Sequence, residues 1–185
     1  MGDTIITIVA IFIVALLMLI YPLLSIAQNN ENVSQLAVQN IVREFVYEVT
    51  TAGVIRKADV ERLEQNLLAT GNTFDIEYRV ALLDENPGKK TVMVHSDAIG
   101  ENLRFSIFTS TILDAIYCTA SCPTNCNVHG AFPLSKGDTV TVTVRNTNRT
   151  IAQLLRDFFY SAIGRSDYQI GATFSGMSMN TGRTN

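Results

Sequence analysis

Between Asp3 and Glu31 the chain carries no Asp, Glu, Lys or Arg, and charged residues make up only 17% of its 185 positions. A run of that length without charge is not the surface of a soluble domain. Tryptophan is absent and aromatic residues are 8%, which weighs against a carbohydrate-stacking groove. Net charge is −3, and Lys and Arg are scattered apart from Arg56-Lys57 and Lys89-Lys90. The chain therefore lacks the basic footprint that nucleic acid or anionic lipid requires. Histidine is limited to His95 and His129, which leaves little for acid–base chemistry. Neither a nucleophile elbow nor a glycine-rich phosphate loop occurs. These absences predict a protein that is not an enzyme, needs no cofactor, and takes neither nucleic acid nor a small-molecule substrate.

What is present begins with hydrocarbon. Residues 5–20 consist only of Ile, Val, Leu, Ala, Phe, Met and one Thr, followed by Tyr21-Pro22-Leu23-Leu24. About 20 apolar residues at 1.5 Å rise cover the ~30 Å hydrocarbon core of a bilayer. Residues 1–27 are read as a transmembrane segment, with the lipid bilayer as first partner. Ser25-Ile26-Ala27 matches the small-x-small cleavage site of a signal peptide. A basic n-region is missing, however, and the run exceeds the usual h-region of about 7–15 residues, so a retained anchor is the expectation. No nearby Lys or Arg flanks the span, and charge does not orient it.

Residues 28–52 read as an amphipathic helical extension of that span. Val33, Leu36, Ala37, Val38, Ile41, Val42, Phe45, Val46 and Val49 recur at helical spacings of three and four. No glycine occurs from Thr4 to Ala52, and Gly53 supplies a stop. Pro22 kinks rather than ends a helix when packing re-satisfies the freed carbonyl. One helix of about fifty residues is predicted; the alternative is two helices divided at Gln28-Asn29-Asn30.

Residues 53–185 are long enough to bury a core of their own. A helix is predicted over 57–70, with Val60, Leu63, Leu67 and Leu68 on one face, Asp59 and Glu61 in the first turn, and Gly71 at its end. Residues 73–83 switch to period two, Phe74, Ile76, Tyr78, Val80 and Leu82 alternating with Asp75, Glu77, Arg79 and Ala81. The turn residues Asp84-Glu85-Asn86-Pro87-Gly88 lead into a predicted partner strand at 91–95. A strand at 103–108, a short helix at 109–117 and a strand at 139–144 follow. Asn148 or Thr150 caps a helix built on Ile151, Leu154, Leu155, Phe158, Phe159 and Ala162 and ended by Gly164; residues 168–179 form the last strand. The fold class is α+β: a long N-terminal transmembrane helix plus an antiparallel sheet packed with helices.

One constellation carries reactive groups, Cys118-x3-Cys122-x3-Cys126-x2-His129. Three thiolates and an imidazole complete a zinc tetrahedron, although the spacing departs from two-residue knuckles. A disulfide between two of Cys118, Cys122 and Cys126, stapling an exposed loop, is the plainer reading; three reduced cysteines are another. Asn32-Val33-Ser34 and Asn148-Arg149-Thr150 match the glycosylation pattern, each as a chance match at a helix start.

The apolar run, Pro22 within it and the stripe behind it together resemble the type IV pilins and pseudopilins. The phrases EFVYEVTTAG (44–53), LEQNLLATGNTFDIEY (63–78), LSKGDTVTVTVRN (134–146) and IGATFSGM (170–177) are similar, more closely, to small pilin-like membrane proteins of tight-adherence pilus systems in Gram-positive bacteria. The resemblance implies a structural subunit of a surface filament or secretion machine, its N-terminus cytoplasmic and its head outside. It further implies that Ala10, Val14, Ala15, Leu17 and Pro22 belong to an assembly helix that packs against copies of itself or related subunits. Two family features are missing: a glutamate within the span, and a basic leader ending in glycine. Their absence points to a minor or accessory subunit. Two other classes stay open, a membrane-anchored extracellular binding module acting as a monomer and an anchored zinc protein.

Overall fold

A computed structural model describes residues 2–83, 104–117, 130–148 and 170–182. Helix α1 runs unbroken from Gly2 to Ala52, 51 residues, with Pro22 inside it. The division at Gln28-Asn29-Asn30 does not occur. Those amides are exposed and remain helical, since polar residues without Pro or Gly can face water from a helix as readily as from a loop. Gly53 ends α1 at φ +71°, and its N–H donates to the Val49 carbonyl.

Strand β1 (Val54–Arg56) leads into helix α2 (Lys57–Leu68), and strand β2 (Phe74–Leu83) follows. Strand β3 (Arg104–Phe108) continues into helix α3 (Thr109–Tyr117). The last elements are strands β4 (Ala131–Pro133), β5 (Thr139–Asn146) and β6 (Gly171–Met177). A four-stranded sheet has the order β3-β2-β5-β6 with every neighbour antiparallel, and β1 and β4 form a separate two-stranded ribbon. The strand found alongside the end of β2 is β3; the predicted partner at 91–95 lies outside the described residues, as does the helix expected after Thr150. The last strand ends at Met177 rather than 179, because Met179 turns its N–H to the Thr50 carbonyl; residues 168 and 169 lie outside the described residues.

The sheet has one apolar and one wet face. Tyr78, Val80, Val140, Val142, Val144 and Ala172 are buried on one side, while Thr141 and Thr143 pair on the other with the hydroxyls of Ser175 and Thr173. A single core joins that apolar face to Val60, Leu63 and Leu67 of α2, Ile112 and Ile116 of α3, and the second half of α1. Helices on one face of an antiparallel sheet make the fold α+β.

Candidate functional site: an apolar helix shared between head and solvent

The α1 residues buried by the head are Val38, Val42, Phe45, Val46 and Val49. At 100° per residue they occupy one side of the helix. Extending the same spacing backward reaches Gln35 and Glu31, and both lie on that side: Gln35 is half-buried and Glu31 is buried. The buried stripe therefore continues past its last valine with polar residues. Gln35 makes the junction. Its Nε2 donates to the Gly171 carbonyl at 2.6 Å, and its Oε1 accepts the Gly171 N–H at 3.0 Å. A side-chain amide thus stands in for the missing strand neighbour at the start of edge strand β6.

Val33 and Leu36, which share the apolar spacing, are 65% and 60% exposed. They project from roughly the opposite side of the helix, where Ile26 and Tyr47 are exposed as well. The apolar residues of this half thus divide between two faces. One is sealed by the head, and the other is open.

Farther along, the helix holds to the sheet by close approach. A Cβ on Gly176 would stand 2.8 Å from Val46 Cγ1 and 3.1 Å from Thr50 Cγ2, so β6 lies against α1 there without a side chain between them. The C-terminal segment then closes the helix end. Met179 donates its N–H to the Thr50 carbonyl, Asn180 its side-chain amide to the Thr51 carbonyl, and Gly182 its N–H to Leu134, whose own N–H reaches the Gly53 carbonyl. Carbonyls that a helix C-terminus leaves unpartnered are thus satisfied by the backbone and one side-chain amide of the C-terminal segment. Between α1 and α2, Arg62 bridges Glu48 at 3.3 Å and Asp59 at 2.6 Å.

Toward the N-terminus, α1 leaves the head altogether. Val14 and Leu17 are 63% and 56% exposed, and Ala10, Ala15 and Pro22 are exposed with them. The stretch is long and apolar enough to cross a membrane, and none of it is buried within the molecule. This helix is a candidate membrane span. Pro22 brings no N–H for the Met18 carbonyl, a defect that neighbouring helices or local adjustment can repair inside a bilayer.

The other sequence-derived candidates fall differently. Cys118, Cys122, Cys126, His129 and His95 lie outside the described residues. Among the described residues no group of His, Cys, Asp or Glu is placed to hold a metal ion. Asp75 and Glu77 sit on the wet face, where Glu77 meets Arg145 at 3.8 Å. Of the glycosylation matches, Asn32 is inside α1, and Asn148 accepts the Thr73 N–H at 3.1 Å. Set beside protein-family models, curated proteins and solved structures, the chain matches none of them.

Proposed function

We propose that this chain is a pilin-like structural subunit, anchored in a membrane by residues 5–24 and assembling with copies of itself or related subunits through the exposed side of α1. The N-terminus is cytoplasmic, the head is outside, and the chain performs no catalysis. The observation that carries the reading is the second apolar face. A helix serving only as an anchor needs hydrocarbon inside the bilayer and one stripe for its own head. Here Val33, Leu36 and Tyr47 remain exposed beyond the span, on the side turned away from the head. Exposed apolar groups in register with an apolar span are what neighbouring helices in a bundle would cover.

The test is a paired substitution, Val33→Glu with Leu36→Glu. Both side chains are exposed, so the stability of the head should change by no more than about 0.5 kcal/mol and insertion should persist. Recovery of the protein in sheared surface filaments, followed by electron microscopy, should fall at least tenfold. Unchanged recovery, or a wild-type chain found only as a detergent-soluble monomer, favours an anchored binding module instead.

A further inference from the structure

We propose that the end of the head carrying Asn72, Thr73, Thr147 and Asn148 rests in the headgroup layer of the bilayer that α1 enters. The inference builds on the membrane-span reading above and adds a second lipid contact, made by the head itself.

The height of that surface follows from matched lengths. Gln35 meets Gly171 at the start of β6, and the Thr50 carbonyl accepts from Ser178 Oγ just past its end. The helical distance between these contacts is about 22 Å, and the strand distance about 23 Å. Strand β6 therefore runs along α1, in the same direction. Register carries this level across the sheet: Gly171 is opposite Arg145, and Arg145 is opposite Asp75. Thr73 and Thr147 lie two residues farther toward the bilayer, a step of about 6–7 Å. That equals four helical residues and puts them level with Glu31. From Leu24, at the end of the apolar run, to Glu31 is about 10 Å along the helix. Headgroup and interfacial regions add about 5–8 Å to each side of the hydrocarbon core. With α1 upright Thr73 and Thr147 thus stand about 2–5 Å outside the headgroups, and the ~20° tilt common among spans closes that gap on one side.

The chemistry of this end suits such a layer. The Thr147 N–H donates to the Thr73 carbonyl at 2.9 Å, the two threonine hydroxyls pair at 3.0 Å, and the Asn148 Nδ2 group reaches Asn72 Oδ1 at 3.4 Å. These residues present hydroxyls and amides without charge, and Thr73 and Thr147 are exposed. The two threonine hydroxyls spend their hydrogens within the turn, and the remaining N–H groups of the Asn72 and Asn148 amides can donate to phosphate and ester oxygens with no ion to desolvate, which is a match for zwitterionic headgroups.

Because the chain contains no Trp, single introduced tryptophans report depth without background. The full chain is reconstituted in phosphatidylcholine vesicles carrying a nitroxide either on the headgroup or deep in the acyl chain. Asn72→Trp, with Thr73→Trp as a second reporter on the same turn, should lose at least half its emission to the headgroup nitroxide. Lys136→Trp, at the opposite end of the head, should lose none, and Ile13→Trp should be quenched by the deep nitroxide. Quenching at Ile13→Trp without quenching at either turn position overturns this proposal and leaves the span intact. Equal quenching at Asn72→Trp and Lys136→Trp overturns it too, because the head then lies on its side. Absence of quenching at Ile13→Trp overturns the span reading and this inference together.

Discussion

Tyr78 sits on β2 with its ring buried against Phe45, centroids 6.1 Å apart, and its hydroxyl finds no hydrogen-bond partner among the described residues. Burial above all, with Glu64 and Tyr117 adding negative potential, pushes its ionisation well above the ordinary value of 10.0. The fold therefore favours the protonated phenol. Its contribution is fully present below about pH 10, and it is lost as pH rises toward the raised value, because the unfolded chain releases a proton that the fold retains. Unfolding free energy of the head should fall above pH 10 by up to about 1.4 kcal/mol per pH unit from this group. Tyr78→Phe should flatten that decline in denaturant titrations while leaving neutral-pH stability equal or up to about 1 kcal/mol higher. Asp138 is the contrary case, a buried carboxylate accepting the backbone N–H of Ser135 at 2.6 Å and of Leu83 at 2.8 Å. Asp138→Ala removes the acceptor from both donors and should cost about 2–3 kcal/mol, read as a lower urea midpoint. Single residues of this kind are where the sequence says least. Gln35 leaves no trace in the apolar periodicity because it is polar, although its spacing from Val38 and Val42 continues the stripe. Only the unpaired edge at Gly171 shows what its amide is for.

Elements were more legible, for a physical reason. Period two in 73–83 and 139–144, and period 3.6 in 57–70, arise from burying one face only. Helix α2 buries Val60, Leu63 and Leu67 as expected, but Leu68, expected on the same face, is exposed, since it stands about 100° round the helix from Leu67. Helix α3 emerges over the predicted span 109–117 with Ile112 and Ile116 buried. The ribbon of β1 and β4 has no signature in the sequence, since three residues carry no period and Pro133 argues against a strand. Helix α1 has the expected length, and Val38, Val42, Phe45 and Val49 pack against the head, but the apolar stripe is not one face. Val33 and Leu36 fit a spacing of three and four with the buried valines while pointing away from them, so a stripe drawn from spacing alone merged two sides of one helix. The contact between α1 and β6 depends on the side chain that Gly176 lacks. Gly176→Val pushes against Val46 and Thr50, both β-branched and stiff, and should destabilise the head by about 1–3 kcal/mol. Faster amide exchange in β6 than in β2 would locate the damage at that contact.

At the scale of the whole molecule, one helix belongs to two environments. Its second half is a structural member of the head, tied by Gln35 at one end and by the C-terminal segment at the other. Its first half contributes nothing to the head's core, and among its described side chains from Thr4 to Leu23 all but Ile20 are exposed. Because the helix is continuous, a membrane that takes up the candidate span would set the head's orientation without a flexible tether and hold the open side of α1 at a fixed height. A rigid presentation of that kind serves lateral assembly, whereas a binding module that works alone gains little from it. The most direct measurement is photo-crosslinking in intact cells from a reactive residue placed singly at Leu17, within the span, and at Leu36, on the exposed side beyond it. The account predicts ladders at multiples of the chain mass from both positions, weakened at Leu17 by an Ala15→Phe change that lipid tolerates and a packed bundle does not. Crosslinks only to lipid or to an unrelated protein, with the chain otherwise monomeric at both positions, would contradict it.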